Sequence, residues 1–149
     1  MIVIVLSTWI DACLQKCFDL ARDVDDHVES MQSSGERVVG GRSSGLLELG
    51  DKMTLEARHF GIRFRMTAKI TEFDASSRFV DEMVEGPFKS LWHEHLFEER
   101  NGGTQITDTM RIEAPFGVIG RIAEKLFLKR KMQGIIAVRQ AHIKRTLEE

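Results

Sequence analysis

Two histidines that lie two residues apart, His93 and His95, are the residues in this sequence best suited to chemistry. They belong to the run GPFKSLWHEHLF at positions 86–97, which is typical of a β-strand, and side chains two apart in a strand point to the same face. Asn-Gly follows at positions 101–102 between two alternating runs, which is the strongest short signal for a β-hairpin with a two-residue turn. This turn predicts that His95 lies opposite Asp108 and that His93 lies opposite Met110.

A second hairpin adds another carboxylate to this face. Gly-Pro-Phe at positions 86–88 indicates a three-residue connection, because a proline cannot donate to a central ladder, and that connection places Asp81 opposite His93. Asp81, His93, His95 and Asp108 are therefore the candidate catalytic residues. An imidazole whose tautomer is fixed by an aspartate could act as a general base. Two alternatives stay open: polar contacts to a bound ligand, and a hydrogen-bonded network that only fixes the strand register.

Composition limits the classes of protein to which this chain can belong. With 149 residues, 42% hydrophobic and 30% charged, the sequence predicts one globular domain with a substantial core, residues 1–149. The formal net charge of −2 gives no reason to expect nucleic acid, and no apolar run is long enough for a membrane span. No GxGxxG, P-loop or GxSxG motif is present, so no nucleotide cofactor or serine hydrolysis is expected. Two histidines with two carboxylates could hold a metal, but we predict none.

The elements that must position the cluster follow from hydrophobic periodicity. The pattern predicts a first strand at 2–8, two short helices at 12–21 and 24–31, the first capped by Asp11, and one long helical segment at 116–147. Between them it predicts about six strands in a meander, at 36–41, 52–60, 62–73, 78–85, 89–99 and 105–113. This order indicates an α+β fold with a curved antiparallel sheet of about six or seven strands wrapped on the long helix.

The apolar stripe of the long helix changes direction along its length. Ile119, Ile122 and Leu126 define one direction, whereas Ile135 and Ile143 define another. We expect a bend near position 134 or in the basic run at 129–131, or a stripe that wraps around the curved sheet. A curved sheet that grips a long helix leaves a space between the two.

Several separated motifs, in this order, resemble those of the SRPBCC superfamily, the helix-grip proteins that include START domains, birch-pollen-type allergens and polyketide cyclase/dehydrase-like proteins. The residues that carry the resemblance are Gly45-Leu46-Leu47, Gly50-Asp51, Phe79-Val80-Asp81, Gly86-Pro87-Phe88, His93-Glu94-His95 with Phe97, Gly103-Thr104, Asp108 and Ala114-Pro115-Phe116-Gly117. The resemblance covers essentially all 149 residues and is greatest to a loosely described bacterial branch. It implies a hydrophobic cavity between sheet and helix, but one fold hosts many functions.

The leading interpretation is a protein that binds a small hydrophobic molecule, a lipid or polyketide fragment, in this cavity. The residues expected to contact that ligand are Met66, Phe79, Met83, Leu91, Phe97, Met110, Ile135, Ile136 and Arg139. For Arg139, either snorkelling at the helix edge or an ion pair with a ligand, Asp81 or Asp108 is open. The alternative function is a cyclase or dehydrase that uses the histidines and aspartates. A third class, an interaction module without a ligand, predicts a collapsed interior.

Two further features bear on surroundings and location. The basic residues Lys125, Lys129, Arg130 and Lys131 predict a solvated surface, with docking on an anionic membrane as the alternative. The cysteines Cys13 and Cys17, four residues apart, are interpreted as packing thiols, which fits a reducing cytoplasm. The sequence does not indicate an oligomeric state.

Overall fold

A curved antiparallel sheet dominates the fold in a computed structural model that describes residues 1–59 and 61–149, without the side chain of His59. The described residues form seven strands: β1 (Ile2–Ile10), β2 (Arg37–Gly41), β3 (Lys52–His59), β4 (Ile62–Asp74), β5 (Arg78–Glu85), β6 (Ser90–Arg100) and β7 (Gly103–Glu113). Their order in the sheet is β1-β7-β6-β5-β4-β3-β2, so that β2 to β7 form a meander and β1 closes beside β7. The predicted α+β fold is confirmed, and the last residue of the predicted strand 52–60 lies outside the described residues.

Two short helices, α1 (Leu14–Ala21) and α2 (Val24–Ser30), follow β1 and precede a single 3₁₀ turn at Gln32–Ser34. The α2 helix is capped by Asp23, whose carboxylate accepts hydrogen bonds from the backbone N–H groups of the second and third residues after it. The predicted cap of α1 at Asp11 is wrong. The helix starts later, Cys13 is its N-cap without a side-chain bond, and the Asp11 N–H instead donates to Glu148. Cys13 is also exposed, so only Cys17 is a buried packing thiol.

The C-terminal 32-residue helix is continuous but not regular. It consists of α3 (Gly117–Ala123), a π-helical turn (Glu124–Leu128) and α4 (Lys129–Glu148). A π-helical turn holds one more residue than an α-turn. The side chains after the turn therefore point in a different direction, relative to those before it, from the direction that a regular α-helix would give them. The predicted bend near position 134 or at 129–131 is therefore placed too late, because the irregularity precedes Lys129.

The apolar stripe predicted for the first part of this helix does not face the sheet. Ile119, Ile122 and Leu126 are exposed. The buried row consists instead of Gly120 and Glu124, four residues apart. A Cβ atom on Gly120 would lie 2.0 Å from the Pro115 carbonyl oxygen, so glycine permits the close approach that turns the apolar side chains outward.

Two apolar clusters lie between the sheet and the helices. The larger cluster surrounds Phe18 of α1, whose ring meets the edges of Phe73, Phe79 and Phe97 at centroid distances of 5.3 to 5.7 Å. The second cluster contains Leu91, Met110, Ile112 and Ile136. Helix α4 contributes Ile143 to the first cluster and Ile136 to the second. The helix thus spans both clusters and covers the sheet face on which the histidines lie.

Candidate functional site

The β6–β7 hairpin fixes the position of the histidines. Asn101 and Gly102 have φ angles of 51° and 78°, which is the left-handed conformation that a two-residue type I′ turn requires. Arg100 consequently pairs with Gly103, and the register places His95 opposite Asp108 and His93 opposite Met110. On the other side of β6, the register pairs Asp81 with His93. All three predicted pairings are confirmed.

Asp81, His93, His95 and Asp108 form one connected group, the His/Asp cluster. His95 is held most firmly, because its Nε2 lies 2.7 Å from Asp81 Oδ2 and its Nδ1 lies 3.5 Å from Asp108 Oδ1. The closest contact, between Asp81 and His95, runs diagonally across the two strands, not between directly paired residues. The His95 ring is also stacked on Phe79 at 4.1 Å, and the tilted ring of His93 lies beside the His95 ring at 3.9 Å, both measured between ring centroids.

His93 makes weaker polar contacts than His95. Its Nδ1 lies 3.9 Å from Asp81 Oδ2 and its Nε2 lies 3.8 Å from Asp108 Oδ2, both beyond hydrogen-bond distance. The Nε2 atom is buried and has no hydrogen-bond partner among the described residues. His93 is therefore the member of the cluster with hydrogen-bonding capacity to spare.

The carboxylates determine the charge state of the cluster. Burial lowers the pKa of His95, but the contacts with Asp108 and Asp81 outweigh burial and raise this pKa to about 9. Burial raises the pKa of both Asp81 and Asp108, yet the neighbouring imidazoles hold the pKa of each carboxyl below its ordinary value. At neutral pH, His95 is therefore an imidazolium held between two carboxylates.

A cavity of about 290 Å³ separates the inner face of the sheet from α4, and the His/Asp cluster forms part of its wall. The predicted ligand residues that line it are Met66, Phe79, Leu91, Phe97, Met110, Ile135, Ile136 and Arg139. Met83 does not line the cavity, which corrects the prediction. Its side chain packs at the second cluster, where its sulfur fills the space beside Gly86.

The sequence analysis missed part of the lining. Some of the additional residues lie on β3, on β4, in the π-helical turn and at the start of α4: Ala57, Phe64, Ala68, Ile70, Leu128, Lys131 and Met132. Others belong to the two short helices and to the segments that follow them, among them Ala21, His27, Met31 and Leu47. The apolar alternation along β4 could have identified the strand residues, because side chains two apart share a face. No comparable signal exists for the helix residues, because the π-helical turn changes which side chains face the sheet.

Arg139 lines the cavity, but its guanidinium is bound elsewhere. Nη1 lies 2.5 Å from Asp26 Oδ2, and Nη2 donates to the Leu20 carbonyl at 3.1 Å. Asp26 also accepts a contact of 2.9 Å from His142 Nε2. Snorkelling to the surface is therefore wrong for Arg139, and so is contact with Asp81 or Asp108, whereas its contact with a ligand stays a prediction. Arg139 ties α4 to α2 through a buried ion pair.

Among the residues that the structure describes, two groups of side chains could hold a metal ion, judged by the spacing of their ligand atoms. Asp81, His93 and His95 offer one ligand atom each within 4.8 Å of one another. The second group, Asp26 with Glu29 and His142, is less suited to a cation because the Arg139 guanidinium already occupies the Asp26 carboxylate.

Comparison with known proteins agrees with this geometry. A family model described as "Polyketide cyclase / dehydrase and lipid transport" matches residues 10–137. Among curated proteins, none matches the sequence significantly.

Solved structures share the fold at low sequence identity. Protein TTHA0849 from Thermus thermophilus superposes with a TM-score of 0.79 at 18% identity, covering 98% of this chain and 97% of that one. Protein jhp0584 from Helicobacter pylori gives 0.75 at 13% identity over 98% and 88% of the two chains. The major latex-like protein 151 of Panax ginseng gives 0.71 at 13% identity over 97% and 96%. These similarities confirm the helix-grip fold that the sequence motifs indicated.

Proposed function

Because the chain belongs to the family of polyketide cyclases, dehydrases and lipid-transport proteins, we propose that its cavity binds one small, largely apolar molecule that carries a polar group. The observation that supports this most directly is the cavity of about 290 Å³, whose wall is mostly apolar and includes ten ionisable side chains, four of them in the His/Asp cluster. Ligand sites typically combine an apolar lining with a few converging polar groups. A collapsed interior, as expected of a pure interaction module, does not fit this cavity.

The His/Asp cluster favours a particular kind of polar group on the ligand. Asp81 and Asp108 already surround the His95 imidazolium, so a ligand carboxylate beside them would meet like charge. A neutral hydroxyl or carbonyl group avoids that repulsion, and His93 has capacity left to hydrogen bond with it. We therefore infer a polyketide-like or lipid alcohol ligand whose neutral oxygen lies against His93.

A fluorescent apolar probe, N-phenyl-1-naphthylamine, tests the cavity. We expect a Kd in the micromolar range, corresponding to about 8 kcal/mol. Ile135→Trp should fill the cavity and weaken binding about tenfold or more, because Ile135 lies in the wall. Val138→Trp is the matched control, since Val138 is exposed on the same helix, and it should leave the Kd unchanged. Absence of probe binding to the wild-type protein would contradict the proposal.

A second candidate function is a cyclase or dehydrase in which His93 acts as the general base. The specific observation in its favour is that His95 is engaged through both ring nitrogens, whereas His93 has no short hydrogen bond. A base must be free to accept a proton from the substrate. In this mechanism, the His95 imidazolium would hold Asp81 and Asp108 in place, and these carboxylates, 3.9 and 3.8 Å from the His93 ring, would face the positive charge that His93 gains with the proton.

The two functions can be separated with the molecule that co-purifies with the protein, identified by mass spectrometry. If the protein is an enzyme, His93→Gln should retain probe binding but slow conversion of that molecule about 10²- to 10⁴-fold. If the protein only binds, wild type and variant should both leave the molecule unchanged. A variant of exposed Glu98 on the same strand, Glu98→Gln, serves as the control for either result.

The proposal further takes residues 1–149 as one domain that works in the cytoplasm. The family model extends over most of the chain, which supports one unit. Both cysteines are free thiols, which supports a reducing compartment.

A further inference from the structure

Large apolar side chains are exposed in a short segment at the start of the C-terminal helix. Six of them lie within twelve residues, each between 53% and 81% exposed: Phe116, Val118, Ile119, Ile122, Leu126 and Phe127. Isolated exposed apolar residues are normal on a protein surface, but a contiguous group of this size marks an interaction site. The group therefore requires a partner that the isolated chain does not supply.

The exposed side chains follow the helix in two adjacent rows. Val118, Ile122 and Leu126 recur every four residues, which places them on one face of the helix. Three exposed cations recur with the same four-residue spacing: Arg121, Lys125 and Lys129. The first two directly precede Ile122 and Leu126 in the sequence, and Lys129 follows the end of the apolar row. The apolar row is thus bordered by a basic row along about three turns. We use the name docking face for the six exposed apolar residues listed above together with four basic residues: Arg121, Lys125, Lys129 and Arg130.

The charge of this segment is opposite to that of the rest of the chain. Residues 116–131 contain five cations and one acid, Glu124, which gives a formal charge of +4. The whole chain carries −2, so the other residues together carry −6. Glu124 is buried and already paired with the N-terminal ammonium group at 2.9 Å and with the Ala114 N–H at 2.7 Å. Glu124 is the one acid among the six charged residues of the segment, so the segment keeps a net positive charge.

We propose that the docking face binds the surface of an anionic phospholipid bilayer. A helix with an exposed apolar row beside a basic row is the pattern of helices that lie in a membrane interface, with apolar side chains among the acyl chains and cations among the headgroups. Within the described residues, no helix has the length and apolar character needed to cross a bilayer, so the contact is peripheral. The negative remainder of the chain orients the molecule with this face toward an anionic surface.

The docking face is followed along the same helix by residues that line the cavity. Leu128 and Met132 line the cavity wall, and Leu128 directly follows Phe127 of the docking face. A bilayer bound at this face would therefore lie close to these two residues of the cavity wall. The docking inference itself does not depend on what the cavity binds, because it rests on the exposed face alone.

Vesicle flotation with the full chain tests the proposal. We expect the wild-type protein to bind vesicles of phosphatidylcholine mixed with phosphatidylglycerol, to bind pure phosphatidylcholine vesicles much more weakly, and to dissociate as salt is added. Ile119→Ser combined with Leu126→Ser should lower the partition coefficient about tenfold or more. The matched control, Val84→Ser combined with Val138→Ser, changes two valines that are 50% and 49% exposed elsewhere and should have no effect.

The basic row is tested separately. Each cation near an anionic surface contributes roughly a fivefold increase in partitioning, so replacing three with glutamine should reduce binding roughly 100-fold at low salt. The three residues replaced are Arg121, Lys125 and Lys129. The matched control replaces one arginine and two lysines that are exposed elsewhere: Arg100, Lys16 and Lys52.

Three results would overturn the proposal. The first is absence of binding to anionic vesicles, or equal binding to neutral ones. The second is vesicle binding that the docking-face variants and their controls reduce equally, which would place the contact on another surface. The third is self-association in sedimentation equilibrium that Ile119→Ser with Leu126→Ser abolishes, without vesicle binding, which would make a second copy of this chain the partner. Matched thermal unfolding of all variants excludes loss of the fold as the cause.

Discussion

Loss of the proton from the His95 imidazolium should lower the free energy of unfolding as the pH rises through about 9. The pKa of His95 is about 9 in the folded protein against an ordinary value of 6.5. Because folding favours the protonated form, this stabilisation is complete below about pH 6.5 and is lost as the pH rises through the folded pKa. The difference between the two pKa values, about 2.5, corresponds to about 3 kcal/mol of the free energy of unfolding.

Urea unfolding of the wild type and of His95→Gln, over a series of pH values from about 7 to about 10, measures this contribution. The wild type should lose about 3 kcal/mol over this range relative to the variant. All other ionisable groups are present in both proteins, so the difference between the two curves isolates His95. Glu98→Gln, an exposed change on the same strand, should follow the wild-type curve.

The ring resonances of His95 give an independent measurement. In NMR spectra they should titrate near pH 9, and their midpoint should fall when Asp108→Asn removes one of the two carboxylates. A midpoint at or below 6.5, or parallel stability curves for the wild type and His95→Gln, would refute the reasoning. Either result would mean that burial outweighs the two aspartates in determining the charge of the cluster.

Two further changes test the packing around the cavity. Arg139→Met leaves the Asp26 carboxylate buried without its closest partner and should lower the free energy of unfolding by about 3–5 kcal/mol, as measured by urea unfolding. Arg130→Met, an exposed change on the same helix, should lower it by less than about 1 kcal/mol. Ile112→Ala removes a fully buried side chain outside the cavity lining and should cost about 2–5 kcal/mol while leaving the Kd of N-phenyl-1-naphthylamine unchanged. A weakened Kd would show that the second apolar cluster and the cavity wall are coupled.

The sheet around the site could be predicted from the sequence because its register is encoded locally. The conformation of Asn101 and Gly102 determines which residue of β7 faces His95, and the short connection after β5 does the same for Asp81. Side-chain rotamers are not encoded in this way. The alternating pattern therefore predicted that four side chains share a face, but not that Asp81 contacts His95 diagonally while His93 makes no hydrogen bond to it.

The helices were harder to predict because amphipathic periodicity identifies an apolar face but not the surface that it contacts. Ile119, Ile122 and Leu126 have the spacing of a core stripe, and only the packing of Gly120 against the chain before the helix turns them toward solvent. The ion pair between Arg139 and Asp26 depends on how α2 lies against α4, and these residues are 113 apart in the sequence. Nothing local in the sequence indicates that contact.

The place of β1 in the sheet also has a consequence for how the chain is made. Strands β2 to β7 each pair with a neighbour in sequence, but β1 pairs with β7, and the hydrogen-bonded hydroxyls of Ser7 and Thr107 are 100 residues apart. On the ribosome, β1 emerges first and has no partner strand until β7 has left the exit tunnel. During that interval the backbone N–H and C=O groups of this apolar, β-branched strand are unpaired and can bind other chains. A nascent chain depends most on chaperones in this period. Closure of the sheet is thus a late, long-range step in the biogenesis of this protein.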